Sequence, residues 1–282
     1  MKKCIITAET TCDLSQELID ERGFRLIPIT VIMGNEEYKD GVNLKAEDLF
    51  DYIKQTGNLP KTAALTEYEY EEFFTEIKKE CDEIIHFSIS SKASCTVQGA
   101  KKAAEKIGGV YVVDTKSLST GEALLMLKAS DMLESGASAK DVYEKICALT
   151  EKVQTSFVLD VLDYLHKGGR CSLVALVGAK MLKLHPQIAE IDGGLAVKKK
   201  YMGNLKRSLM QYITDLAAEY PEYDKTRAFV THSPCDDRAL VDDVIAKVKE
   251  LFDFDEVIET EAGATVSTHC GKNTIGLLFI AE

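Results

Sequence analysis

The 282-residue chain carries 46 Asp and Glu against 34 Lys and Arg, a formal charge of −12, with 45% hydrophobic and 28% charged residues. That balance provides apolar side chains for a real core and excludes a disordered polyelectrolyte. The acidic excess argues against a protein that coats nucleic acid by neutralising phosphates. The length suits one large α/β domain or two of ordinary size, and two are expected.

The opening Met1-Lys2-Lys3-Cys4 precedes too short an apolar run for a signal peptide. No stretch approaches the ~20 apolar residues of a membrane span; the oily runs 173–177 and 275–281 suit buried strands or short helices. The expectation is a soluble, cytoplasmic protein with no integral membrane segment. Cys4, Cys12, Cys81, Cys95, Cys147, Cys171, Cys235 and Cys270 form no C-x-x-C pair, and the five histidines are dispersed. Reduced thiols and no structural metal are therefore expected.

In chain order, β-branched runs alternate with helical patterns, the signature of a mostly parallel sheet flanked by helices. Strands are expected over 4–7, 26–33, 83–89 and 110–114. Helices are expected over 15–22, 45–55, 66–80, 96–106, 121–134 and 139–153, the third opened by a Thr66/Glu69 capping box. Beyond this the pattern changes. Helices over 162–167 and 173–184 flank Gly168-Gly169, and a hairpin turns at Asp192-Gly193-Gly194. A helix over 205–219 and a strand over 228–231 follow, and Ser233-Pro234 reads as a helix start with Pro at its first position. Strands over 257–260 and 275–280 close a second, mixed sheet. The reading is an α/β protein of two domains, 1–155 and 156–282, with a ligand site at their junction.

Dinucleotide-fingerprint, Walker, nucleophile-elbow and zincin motifs are absent. Four segments could carry chemistry instead, at strand ends where open α/β sheets place ligands. Pro60-Lys61-Thr62 reads as a connector between two helices, whose proline could stiffen a loop so that Thr62 faces a ligand. In Ser90-Ser91-Lys92-Ala93-Ser94-Cys95, Ser94 is either a simple helix N-cap or a contact for an anionic oxygen. Lys167-Gly168-Gly169-Arg170 offers a turn plus a guanidinium suited to phosphate or carboxylate. The small-residue loop Ala262 to Gly271 carries His269, either a satisfied histidine or a donor to an anion.

Taken together, Thr10-Thr11-Cys12-Asp13-Leu14, Tyr38-Lys39-Asp40-Gly41-Val42, Pro60-Lys61-Thr62, Ile89-Ser90-Ser91-Lys92-Ala93-Ser94, Val113-Asp114-Thr115-Lys116-Ser117, Leu165-His166-Lys167-Gly168-Gly169-Arg170 and Thr268-His269-Cys270-Gly271 closely resemble the DegV family, in order along essentially the whole chain. The resemblance implies a two-domain lipid carrier, the fatty-acid-binding subunit of a bacterial fatty acid kinase. It implies a long-chain fatty acid in a buried tunnel, its carboxylate held by Thr62, Ser94 and His269, with Arg170 contacting the kinase subunit or the transferred phosphate. It also implies catalysis by a separate ATP-binding subunit, giving acyl phosphate for phospholipid synthesis, with no cofactor in this chain. The sequence departs from the family pattern at Ala63-Ala64-Leu65, where Ser-Gln-Pro is common, at Cys95 in place of glycine, and at Glu9 in place of aspartate. The alternative is an acyl transferase or hydrolase using Cys95 as thiol nucleophile and His269 as base.

Overall fold

The computed structural model of the chain describes residues 2–170 and 184–282. Strand β1 (Lys2–Glu9) leads through a single 3-10 turn (Thr10–Cys12) to helix α1 (Gln16–Arg22). The Ser15 hydroxyl caps α1 by accepting Leu18 N–H at 3.3 Å, and Gly23 ends it in the left-handed region at φ 64°. There follow β2 (Arg25–Ile27), β3 (Thr30–Met33), β4 (Glu36–Lys39), α2 (Ala46–Thr56), β5 (Lys61–Ala63) and α3 (Glu67–Ile77). The Thr66/Glu69 capping box opens α3 as expected. The first half continues with β6 (Cys81–Ser88), α4 (Thr96–Ile107), β7 (Val110–Asp114), α5 (Thr120–Glu134) and α6 (Ala139–Leu149).

Two sheets form in this half. One is parallel with order β2-β1-β6-β7, as the alternating pattern implied. The other is a small antiparallel sheet, β4-β3-β5, which the sequence reading did not contain. The strand expected over 26–33 is two strands in different sheets. Pro28 interrupts it because proline has no N–H for a ladder, and Ile29 N–H goes to Thr10 Oγ1 at 3.2 Å instead.

The second half contains β8 (Val153–Val158), α7 (Asp163–Lys167), β9 (Leu184–Ile191), β10 (Gly194–Met202), α8 (Leu205–Glu219), β11 (Tyr223–His232), α9 (Arg238–Leu251), β12 (Glu256–Glu261), α10 (Ala264–Cys270) and β13 (Ile275–Ala281). Its mixed sheet has the order β10-β9-β8-β13-β11-β12, parallel only between β11 and β12. The helix expected to run to residue 153 stops at Leu149, because Val153 opens a fully buried strand of this sheet. The helix expected over 173–184 falls outside the described residues, apart from Leu184, which opens β9. The hairpin turn is as expected, with Asp192 and Gly193 both at positive φ (52° and 80°).

Two expectations in this half are corrected. Pro234 does not start a helix. The segment is held to the neighbouring loop by Ser233 N–H to Thr274 C=O at 2.9 Å and Asp236 N–H to Asn273 Oδ1 at 2.9 Å, and α9 begins later, capped by Asp237. Residues 264–270, read as part of a loop, form helix α10.

Helix α5 joins the halves. It is buried without interruption from Thr120 to Leu127. Leu124, Leu125, Met126 and Leu127 share one core with Ile6, Ala8, Phe87 and Val113 of the parallel sheet and with Phe229, Leu278 and Ile280 of the mixed sheet. Each such side chain contributes roughly 1.5–3 kcal/mol of burial, so the packing fixes one sheet against the other. Among the described residues no helix is long and apolar enough to cross a membrane.

Candidate ligand site between the two sheets

Thr62 sits at the centre of β5, opposite Val31 of β3. Its Oγ1 lies 3.0 Å from Nε2 of His269, near the end of α10. The two residues come from opposite ends of the chain, 207 positions apart. The His269 ring is partly buried, and its Nδ1 is buried without a hydrogen-bond partner among the described residues. Burial, reinforced by the positive charge of Arg170, lowers the His269 pKa to about 4. The imidazole is therefore neutral at pH 7, with one nitrogen a donor and the other an acceptor.

Gly168 lies against this ring, and a methyl group in its place would overlap His269 Nδ1. The next residue, Gly169, takes φ +71° to turn the chain. Arg170 is exposed and donates from Nη1 to Gly168 C=O at 2.7 Å. Ser94 lies two residues before the first residue of α4, Thr96. Its Oγ accepts Thr96 N–H at 3.2 Å, so it does the work of a cap without holding the N-cap position, which is Cys95.

Thr62, Ser94, Arg170 and His269 line one pocket, partly open to solvent, with about 640 Å³ of space free of protein atoms. Most of its remaining wall is apolar, with Ile29, Ile89, Leu118, Leu165, Leu195 and Val266. Ala63 and Ala64 add two methyl groups, so the departure from a polar Ser-Gln pair makes this wall more apolar. A second, smaller pocket shares Leu118, Val266 and Cys270 with the first and extends toward Phe157 and Leu278 of the mixed sheet. On the other side, an outer cleft shares Thr62, Arg170 and His269 and adds Lys61 and Lys167. The hydroxyl–imidazole pair thus stands between an apolar interior and a cationic exterior. The thiol of Cys95 is exposed and is not part of the cavity wall, so no geometry joins it to His269.

Several supporting residues had no assigned role in the sequence reading. Glu9 is fully buried and accepts hydrogen bonds from Tyr70, from His86 Nε2 (3.1 Å) and from Ile89 N–H (2.9 Å), which fixes the point where the Ser90–Ser94 turn leaves β6. Asp13 and Asp40, present in the sequence motifs without a role, meet the start of α10: Asp13 Oδ1 accepts Gly263 N–H at 2.8 Å, and Asp40 accepts Ala264 and Thr265 N–H at 2.8 and 3.0 Å. Burial raises the Asp13 pKa to about 8 and pushes Glu122 well above the carboxylate range. These two buried acids are thereby biased toward their neutral forms, which reduces the local negative field that a net charge of −12 would otherwise impose.

The fold and cavity define an α/β protein with an apolar chamber between two sheets and a polar mouth. The chain belongs to the DegV family: the family model described as "Uncharacterised protein, DegV family" matches residues 3–282. A DegV domain-containing protein of Caldanaerobacter subterraneus is 27% identical, with 99% of each chain covered. One of Clostridium acetobutylicum is 28% identical, with 100% of each covered. A solved DegV family structure from Thermus thermophilus, described for its fatty acid binding, superposes with a TM-score of 0.89 at 25% identity, covering 99% of this chain and 100% of that one.

Proposed function

We propose that this chain binds a long-chain fatty acid in the cavity between its units 1–155 and 156–282, holds the carboxylate with Thr62, Ser94 and His269, and presents it to a separate ATP-dependent kinase in the cytoplasm. The product is an acyl phosphate for phospholipid synthesis, and this chain acts as the lipid-binding subunit rather than the catalyst. The observation that carries the reading is the Thr62–His269 pair at the mouth of an apolar pocket, the second ring nitrogen having no partner among the described residues. The family relationship to a fatty-acid-binding protein of Thermus thermophilus adds support.

The physical logic has two parts. A tail of fourteen to eighteen carbons offers roughly 11–14 kcal/mol at ~0.8 kcal/mol per buried methylene, before ordering costs. An ionised carboxylate leaving water costs several kcal/mol unless donors replace its hydration, and the hydroxyls and imidazole supply those donors. With the tail inside, the carboxylate is the group exposed to the outer cleft, where Lys61, Lys167 and Arg170 favour an incoming phosphoryl group.

Native mass spectrometry of protein purified from a bacterial host tests the reading. Retained non-covalent fatty acid is expected, whereas a thioester on Cys95 would replace the carrier with the acyl-transferase reading. His269→Ala and Ser94→Ala should each weaken binding about 10- to 100-fold, the worth of a hydrogen bond to a charged group. Arg170→Ala should retain lipid and lose coupling to the kinase; unchanged acyl phosphate formation in all three variants would overturn the site assignment.

A further inference from the structure

Helix α10 has only seven residues, too few to hold its shape alone in water. Its amino end donates three hydrogen bonds to aspartate oxygens from the other half of the chain. Asp40, 2% exposed, accepts two successive N–H groups, one on each oxygen, and Asp13 accepts the N–H before them. Asp13 adopts a left-handed conformation (φ 51°), and its second oxygen takes the Ser119 hydroxyl. Gly263 makes the approach possible: a Cβ there would stand 3.0 and 3.2 Å from the two Asp40 oxygens. The far end of the helix carries His269, set against Gly168 and hydrogen-bonded to Thr62.

We infer that Asp40, assisted by Asp13, is a positioning residue for His269: a side-chain clamp on the start of α10 that sets where the imidazole meets Thr62 on β5. The two ends of the arrangement are fixed by the same half of the chain, the clamp through Asp13 and Asp40 and the contact through Thr62. A shift of α10 along or about its axis therefore changes the His269–Thr62 contact directly. The spacing from Ala264 to His269 is about one and a half turns of helix, short enough to transmit a displacement at one end to the other. The functional consequence rests on the fatty-acid reading above; the geometric claim does not.

Histidine-labelled protein, stripped of lipid, provides the test, with the His269 signal assigned by its loss in His269→Gln. Asp40→Asn replaces one acceptor with an NH2 group facing an N–H, and Gly263→Ala is a milder push on the same contact. In both variants the His269 ring resonances should move, and their titration should rise from the acid region toward the ordinary histidine value of about 6.5. Palmitate affinity by calorimetry should fall at least tenfold, about 1.4 kcal/mol. Val248→Ala, which opens a cavity in the separate core between α8, α9 and the mixed sheet, should lower stability and leave the His269 titration unchanged. An unshifted titration in folded Asp40→Asn, or in Gly263→Ala if the first does not fold, overturns the clamp. Wild-type protein that binds no palmitate would refute the fatty-acid reading while the resonance measurement still decides the clamp.

Discussion

The depressed pKa of His269 predicts a specific acid sensitivity. The unfolded chain protonates this imidazole near pH 6.5, while the folded chain resists until about pH 4. Between these values the unfolded state binds more protons, so stability falls as pH falls through the window and is unaffected above it. At pH 4.5 the shift, discounted for partial exposure of the ring, corresponds to roughly 2 kcal/mol. The measurement compares urea midpoints of lipid-free wild type and His269→Gln from pH 7.5 to 4.5. Wild type should lose about 2 kcal/mol more than the variant, because Gln cannot take up the proton. Asp13 works in the opposite direction: its raised pKa stabilises the fold at low pH, and that contribution is lost as pH rises through about 8, but it is common to both proteins and cancels. Adding palmitate supplies a second test, since a carboxylate beside His269 favours the charged ring. The loaded wild type should lose less stability on acidification than the lipid-free protein. Parallel wild-type and variant curves would refute the burial argument, and identical loaded and lipid-free slopes would place the head group away from His269.

Gly168→Ala should destabilise by roughly 1–3 kcal/mol through overlap with the His269 ring. Gly169→Ala, whose side chain meets open space, should cost only about 1 kcal/mol for its positive φ; urea unfolding separates the two. Glu122, fully buried with its pKa pushed well up by burial, should tolerate replacement by Gln near neutral pH. Because the protonated acid is the form that folding favours, wild-type stability declines with alkalinity as this group ionises, so Glu122→Gln should be the more stable protein at high pH by thermal melting. A variant less stable than wild type throughout would show that the ionised carboxylate is needed.

The parallel sheet was legible because its strands are continuous β-branched runs separated by helical patterns with sound caps at Ser15, Thr66 and Ser138. The small antiparallel sheet was not. Strand β4 is exposed and strongly polar, and β5 has three residues, one of them the lysine beside Thr62. Neither shows the alternation that marks a half-buried strand, and both acquire their conformation by pairing with β3. Pro28 was the available warning that residues 26–33 could not be a single ladder. Helix α10 escaped for a related reason: its Ala-Thr-Val-Ser-Thr sequence is a weak helix former, and the groups that satisfy its amino end lie more than two hundred residues away.

The candidate site was legible residue by residue through family motifs and illegible as geometry. Nothing local in Pro60-Lys61-Thr62 says that this threonine meets an imidazole from the opposite end of the chain; the antiparallel pairing of β5 with β3 and the docking of α10 do that together. The same holds for charge. A net charge of −12 is a poor environment for an anionic head group, and composition alone would place such a ligand elsewhere. The structure resolves the conflict locally. Burial biases Asp13 and Glu122 toward neutrality, while Asp40 and Asp13 point their oxygens at backbone N–H groups rather than at the cavity. Among the described residues, the charged side chains lining the outer cleft are Lys61, Lys167 and Arg170. The acidic residues thus build the frame that holds His269 in place, and the cations occupy the outer side of the Thr62–His269 pair.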